Sequence, residues 1–224
     1  FLCINFDAPV VKEAASWFLG GVFLNYNSSY LERALEQMLD EADSPEVTRF
    51  LRAVDVRIDG FRVEKAPEGR GQRVFVKHEV DGKGYELRLS EESAGTQKLM
   101  GLAAFLLAAL ERGGTVVVDE LDAKLHPKLL RYVILLFKDP EVNKHGAQLI
   151  FSSQDVSTMR NDVFRRDEIW FAARGEGEAS QLWSLADIHE TNGNLVSKNA
   201  AFDKQYLSGR YGADPYLTRI EEWN

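Results

Sequence analysis

Two carboxylates stand side by side at the end of an apolar run, Thr115-Val116-Val117-Val118-Asp119-Glu120. Four β-branched residues followed by two acids describe a buried strand that delivers its charges at its C-terminal end. One acid, Asp119, could hold Mg²⁺, usually through water because Mg²⁺ dehydrates reluctantly. The other, Glu120, could polarise an attacking water. Alone, the pair fits a plain strand-to-loop turn with two solvated acids equally well. Two polar segments flank it. Upstream, Ser93-Ala94-Gly95-Thr96 opens a long Leu- and Ala-rich stretch. A Ser hydroxyl and the free N–H groups of a helix start make an anion site, and Gly lets phosphate approach the backbone, though an ordinary N-cap would use the same residues. Downstream, Ser152-Ser153-Gln154-Asp155 follows the apolar Leu149-Ile150-Phe151. In this order and spacing the three segments suggest one nucleotide-hydrolysing site.

The elements that must position these residues can be read from periodicity. Alternation over 54–64 and 73–89 predicts a small antiparallel layer, with Asp81-Gly82-Lys83-Gly84 as its turn. Val74, Val76 and Val80 share one face of it, as do Tyr85, Leu87 and Leu89. A buried helix follows over about 96–112, closed by Gly113-Gly114. Then come strand 115–119, a helix over 127–138 beginning at Pro127, strand 147–152, a short helix near 156–160 and strand 167–173. Strands alternating with helices imply a parallel sheet flanked by helices. Strand 180–185, after a polar turn, should add antiparallel at an edge. Near the start, an amphipathic helix is predicted over 28–42, with Ser29 and Glu32 as a capping box, and a second helix from Ser44-Pro45. The tail after Asn192 reads as irregular. The resulting division is a helical element over 1–54, a catalytic lobe over 55–191 and an extension over 192–224.

Composition narrows the classes. The chain has 224 residues, 45% hydrophobic and 28% charged, which suits a globular domain with a sizeable core. A net charge of −8 argues against a nucleic-acid-coating surface. One cysteine, Cys3, excludes an intrachain disulfide and makes the cytoplasm the default compartment. No apolar run is long enough for a membrane span. His78, His126, His145 and His189 show no metal-ligand spacing, and no G-x-S-x-G elbow is present. The phosphate-cradling G-x-x-x-x-G-K-[ST] is also absent, since Gly20-Gly21 lacks the Lys and Ser/Thr. With no Met at position 1, the expectation is that the phosphate loop precedes Phe1 or comes from another chain.

Val116 through Pro127, reading Val-Val-Val-Asp-Glu-Leu-Asp-Ala-Lys-Leu-His-Pro, resembles the Walker B strand and D-loop of ABC-type ATPases. It is closest to the ABC-like AAA family ATPases grouped with the overcoming-lysogenization-defect and related anti-phage proteins. Ser93-Ala94-Gly95-Thr96 resembles that family's signature loop, and Ser152-Ser153-Gln154-Asp155 its switch, with Gln154 where the superfamily usually has His. Arg165-Arg166-Asp167-Glu168-Ile169-Trp170-Phe171 and the Tyr206–Pro215 stretch also resemble family segments, so the likeness covers roughly 55–215.

The resemblance implies a fold: the C-terminal lobe of a P-loop NTPase of ABC type, α/β, with a mainly parallel sheet, a small antiparallel layer and a helical element. It implies ATP and Mg²⁺ as cofactors, Asp119 on the metal, and Glu120 and Gln154 as catalytic. It implies nucleotide contacts from Ser93, Gly95 and Thr96 of an opposite subunit, and from Asp122 and His126. The plain alternative for His126 is to hold its turn by hydrogen bonds; for Arg165 and Arg166 it is a solvated surface pair. Implied partners are a second copy, head to tail, and an effector such as a toxin or nuclease, without a membrane. A scaffold with little turnover and a nucleic-acid clamp are the alternatives, the latter needing Arg165, Arg166, Arg174 and Arg210 in one basic stripe.

Overall fold

A computed structural model of the chain describes residues 9–25, 45–54, 58–65, 72–174, 179–190 and 193–213. They fall into two compact units, Phe1–Gln154 and Asp155–Asn224. The helix expected over 28–42 lies outside the described residues.

In the first unit, helix α1 (Pro9–Gly21) leads into β1 (Val22–Asn25), and α2 (Pro45–Ala53) precedes an antiparallel layer of β2 (Gly60–Lys65), β3 (Gln72–Val80) and β4 (Lys83–Arg88). Helix α3 (Ala94–Arg112), β5 (Thr115–Val118), α4 (Pro127–Lys138) and β6 (Gln148–Phe151) follow. The parallel sheet has the order β1-β5-β6, so β5 is central, with Thr115 opposite both Val22 and Gln148. Thr115, Val116 and Val118 are buried, as expected of β-branched residues in a covered parallel strand. The span 1–54 therefore holds more than helix. A four-residue strand is too short to show a period of its own.

Helix α3 buries residues on most of its circumference, among them Leu99, Met100, Leu102, Ala103, Leu106 and Ala109. Leu and Ala also carry the best intrinsic helix propensities. It stops at Gly113, whose φ of 74° is left-handed and whose N–H donates to the Ala109 carbonyl at 2.8 Å. Nothing larger fits there, because a Cβ would lie 2.4 Å from the His145 carbonyl oxygen. Helix α4 starts with Pro127 in its first turn and buries Leu130, Val133 and Ile134, at amphipathic spacing.

The antiparallel layer turns more tightly than expected. Asp81 and Gly82 both have positive φ, 52° and 72°, which makes a two-residue hairpin turn, while Lys83 and Gly84 already belong to β4. Phe61, Val74 and Val76 are buried, whereas Val80, Tyr85 and Leu87 are exposed. The alternating pattern thus continues beyond the part of the layer that the core covers.

In the second unit, β7 (Trp170–Arg174) and β8 (Ser180–Ser184) form an antiparallel sheet of two. That corrects the expectation of an edge addition to the parallel sheet. Strand β7 starts later than expected because Arg166–Glu168 form a 3₁₀ turn, in which the Glu168 carboxylate accepts the Arg165 N–H at 2.7 Å. Among the described residues the tail is irregular, as expected, except for one short helix. Helix α5 (Phe202–Leu207) and the residues after it send Phe202 and Tyr211 into a core with Ile169, Phe171, Leu185 and Val196. The Phe171 ring stacks on Tyr206 at 5.8 Å and meets Tyr211 at 5.4 Å. Burial pushes the Tyr211 phenol up to about 12, so it stays protonated and donates to Gln205 Oε1 at 2.7 Å. Among the described residues no helix is long and apolar enough to cross a membrane.

Gly113 and Gly146 separate strain from clash, since Gly146 has a φ of 70° but open space around its Cβ position. Gly146→Ala should destabilise by about 1 kcal/mol, for left-handed backbone alone. Gly113→Ala should cost about 2–4 kcal/mol, because an overpacked backbone contact is added. Urea midpoints check the order, and equal midpoints for the two variants would contradict it.

Candidate functional site

Strand β5 ends at Val118, and the chain reverses at once. Glu120 has a φ of 49° and Lys124 of 66°, both left-handed without being glycine. The turn closes through Ala123 N–H to the Glu120 carbonyl at 3.1 Å and Leu125 N–H to the Asp122 carbonyl at 2.9 Å. Leu121 anchors it, fully buried, with its N–H on the Ser152 carbonyl at 3.0 Å. Asp119 and Glu120 remain exposed at the carboxyl end of the central strand, where open α/β sheets bind ligands.

Ser152 fixes both acids. Its N–H continues the ladder to the Val118 carbonyl at 3.1 Å. Its hydroxyl accepts the Glu120 N–H at 2.7 Å and donates to Asp119 Oδ1 at 2.5 Å. Two residues on, the Gln154 N–H donates to Asp122 Oδ2 at 3.2 Å. The other oxygen, Asp122 Oδ1, is buried and has no hydrogen-bond partner among the described residues. The segment after β6 is thus tied to the turn after β5 at two points.

The start of α3 meets the same turn from another side. Ser93 is its N-cap, with the hydroxyl accepting the Thr96 N–H at 3.1 Å and paired with Thr96 Oγ1 at 2.8 Å. A Cβ on Gly95 would lie 2.8 Å from the Lys124 carbonyl oxygen, so the turn packs directly on this glycine. The acids that precede Ser93 are engaged elsewhere. Glu91 accepts the Arg88 N–H at 2.8 Å, and Glu92 meets His78 Nε2 at 2.5 Å. The plain role of His126 is realised: its Nδ1 accepts the Lys128 N–H at 3.1 Å and caps α4.

Lys98 is the residue that sequence reasoning missed. Its ammonium donates to the Glu120 carbonyl at 2.5 Å and to the Ala123 carbonyl at 2.9 Å. Burial lowers its pKa, against the opposing pull of Asp122 and Glu120. A lysine one turn into a helix reads as solvated, and only the fold reveals the two carbonyls. Arg165 and Arg166, in the second unit, have local partners. Arg165 pairs with Asp167 at 2.8 Å and with Glu168 at 3.3 Å, and Arg166 donates to the Val196 carbonyl.

The donor set suits Mg²⁺ better than a softer ion. Asp119 and Ser152 offer only oxygen, and no group of three or more His, Cys, Asp or Glu among the described residues could hold a metal. Mg²⁺ uses one or two carboxylates and completes its shell with water and phosphate.

The chain belongs to the family described as "AAA domain, putative AbiEii toxin, Type IV TA system", whose model matches residues 9–160. No curated protein matches. Solved structures of SMC ATPases are similar. One comes from work on ATP-driven dimerisation and DNA-stimulated activation, with 17% identity, 70% of this chain and 84% of that chain covered, and a TM-score of 0.40. A Pyrococcus yayanosii Smc head with a coiled coil and joint shares 17% identity over 72% of this chain and 28% of that one, at 0.45. An SmcHead bound to the C-winged helix domain of ScpA shares 14% over 68% and 42%, at 0.39. The chain thus spans under half the length of the latter two.

Ser152→Ala should cost about 1–2 kcal/mol, the usual range for a hydrogen bond to a charged group lessened by exposure. In an Asp119→Ala background the loss should shrink by about 0.5 kcal/mol or more, because the two side chains are coupled. Urea unfolding of the four proteins checks this, and equal losses in both backgrounds would count against the Ser152–Asp119 bond.

Proposed function

We propose that this chain is the catalytic lobe of a Mg²⁺-dependent, ATP-hydrolysing subunit that dimerises around nucleotide in the cytoplasm. The observation that carries the reading is the exposed Asp119–Glu120 pair at the end of the central strand, held by one serine just past the neighbouring strand. Asp119 would hold Mg²⁺, with Ser152 aligned beside it. When bound, the cation would offset charge on the phosphates. Glu120, fixed through its own N–H, would accept a proton from the attacking water. Gln154 would hydrogen-bond the terminal phosphate but could not gain a proton near neutral pH. Asp122 and His126 would support the nucleotide through the turn they shape.

The phosphate loop would come from residues outside this sequence or from another chain. Ser93, Gly95 and Thr96 would close over nucleotide held by a second copy, so that ATP binding drives head-to-tail closure and hydrolysis releases it. Membership of a family that includes putative toxins of toxin–antitoxin systems supports, by analogy, control of an effector such as a toxin or nuclease in anti-phage defence.

A nucleotide-gated scaffold with little turnover is the second reading, favoured by glutamine at position 154. A nucleic-acid clamp is disfavoured, since the Arg165 and Arg166 guanidinium groups are already engaged by neighbouring acids and a carbonyl.

ATP turnover by the full-length protein, beside Glu120→Gln, separates the first two readings. Turnover should fall about 10²- to 10⁴-fold in the variant, the range for loss of a general base, with ATP binding retained. Equal, near-background rates in both proteins would leave the scaffold.

A further inference from the structure

Two segments, the one just after β6 and the start of α3, converge on the turn after β5, and Lys98 of α3 bonds to it through its ammonium. Its position is demanding. The ammonium is half-buried and ends between two carbonyl oxygens of the turn, Glu120 at 2.5 Å and Ala123 at 2.9 Å. Taking an ammonium out of water is unfavourable, so a lysine stays there only where acceptors compensate it. Here the compensation runs both ways. The turn begins at left-handed Glu120 and passes left-handed Lys124, conformations that need support from their surroundings. The same field reaches Asp122, whose buried Oδ1 has no hydrogen-bond partner among the described residues. Gly95, three residues before Lys98 and so on the same face of α3, lies against the Lys124 carbonyl oxygen.

We propose that Lys98 is a positioning residue that clamps the turn bearing Glu120 to the start of α3, so that Ser93–Thr96 and the Asp119–Glu120 pair move as one body. The proposal rests on the ATPase reading for its catalytic consequence. The clamp itself stands on geometry alone. Its consequence is directional. In a head-to-tail pair, Ser93–Thr96 of one copy would touch the nucleotide of the other. Displacement of that helix start would then pull, through Lys98, on the Glu120 backbone of its own site. Lys98 touches no nucleotide in this scheme. It acts only through the carbonyls it holds.

The experiment compares full-length wild type with Lys98→Met, which keeps the stem and removes the ammonium, and with Lys98→Arg, which keeps a charge able to donate twice. Amide hydrogen exchange is followed at Leu121, Ala123 and Leu125, whose N–H groups close the turn. ATP turnover is followed in the same samples. Exchange at these amides should rise in Lys98→Met by about tenfold or more relative to the buried amides of α3, and Lys98→Arg should recover part of the protection. The Lys98→Met kcat should fall about ten- to a hundredfold with KM changed about twofold at most, the split expected of a misplaced catalytic group rather than of lost binding.

Unchanged exchange in Lys98→Met would overturn the clamp, whatever the turnover. Faster exchange with kcat unchanged, in a protein whose Glu120→Gln variant is inactive, would overturn the positioning role alone. A wild type without turnover would sink the ATPase reading, and the exchange result would still decide whether Lys98 holds the turn. If Lys98→Met does not fold, Lys98→Arg carries the test: wild-type exchange and kcat support the clamp, while loosening as complete as global unfolding contradicts it.

Discussion

The site depends on a turn that the backbone does not favour. Directly after a buried parallel strand, the chain must reverse within a residue, and it does so through left-handed Glu120 and, four residues on, left-handed Lys124. Each non-glycine residue in that region costs about 1 kcal/mol or more. The surroundings offset this with hydrogen bonds: Ser152 on the Glu120 N–H, the Ser152 carbonyl on Leu121, and Lys98 on the carbonyls of Glu120 and Ala123. Buried Leu121 adds an apolar anchor. A strand end without these partners would leave both acids mobile, and mobile acids make poor ligands and poor bases.

The same bonds explain why three separated segments work as a unit. Ser152 directly follows the strand next to β5, so strand pairing itself brings its hydroxyl to the acids. Gln154 and Asp122 join the next residues, and Gly95 admits the turn against the helix start. Asp122 Oδ1, buried and without a hydrogen-bond partner among the described residues, belongs with these bonds as well. Lone buried polar atoms are costly, and those that persist often sit where a structure must respond to a ligand.

Much of this was legible in the sequence, for identifiable reasons. The β-branched run at Thr115–Val118, Pro127 in the first turn of α4 and Gly113 after α3 each have one strong local cause, and each element formed where expected. What was illegible depended on distant partners. β1 is only four residues long. β8 pairs antiparallel as expected, but its pairing with β7 in a sheet of two goes with a core of Phe171, Leu185, Phe202 and Tyr211, residues far apart in the sequence. At the site, the residue types of the acids and of the Ser-x-Gly-Thr helix start were visible. The locking roles of Ser152 and Lys98 were not, because each acts on backbone atoms that no motif records. His126 shows the reverse case: it lies within a motif and serves as a helix cap.

The role proposed for Asp119 is to present metal to a bound nucleotide. Mn²⁺, which accepts the same oxygen ligands as Mg²⁺ and is visible by electron paramagnetic resonance, tests it in the full-length protein with ATP present. The account predicts ATP-dependent Mn²⁺ binding that weakens about tenfold or more in Asp119→Asn, the scale on which metal sites respond to lost carboxylate support. Mn²⁺ binding of equal strength in wild type and Asp119→Asn, with ATP bound to both, would contradict it.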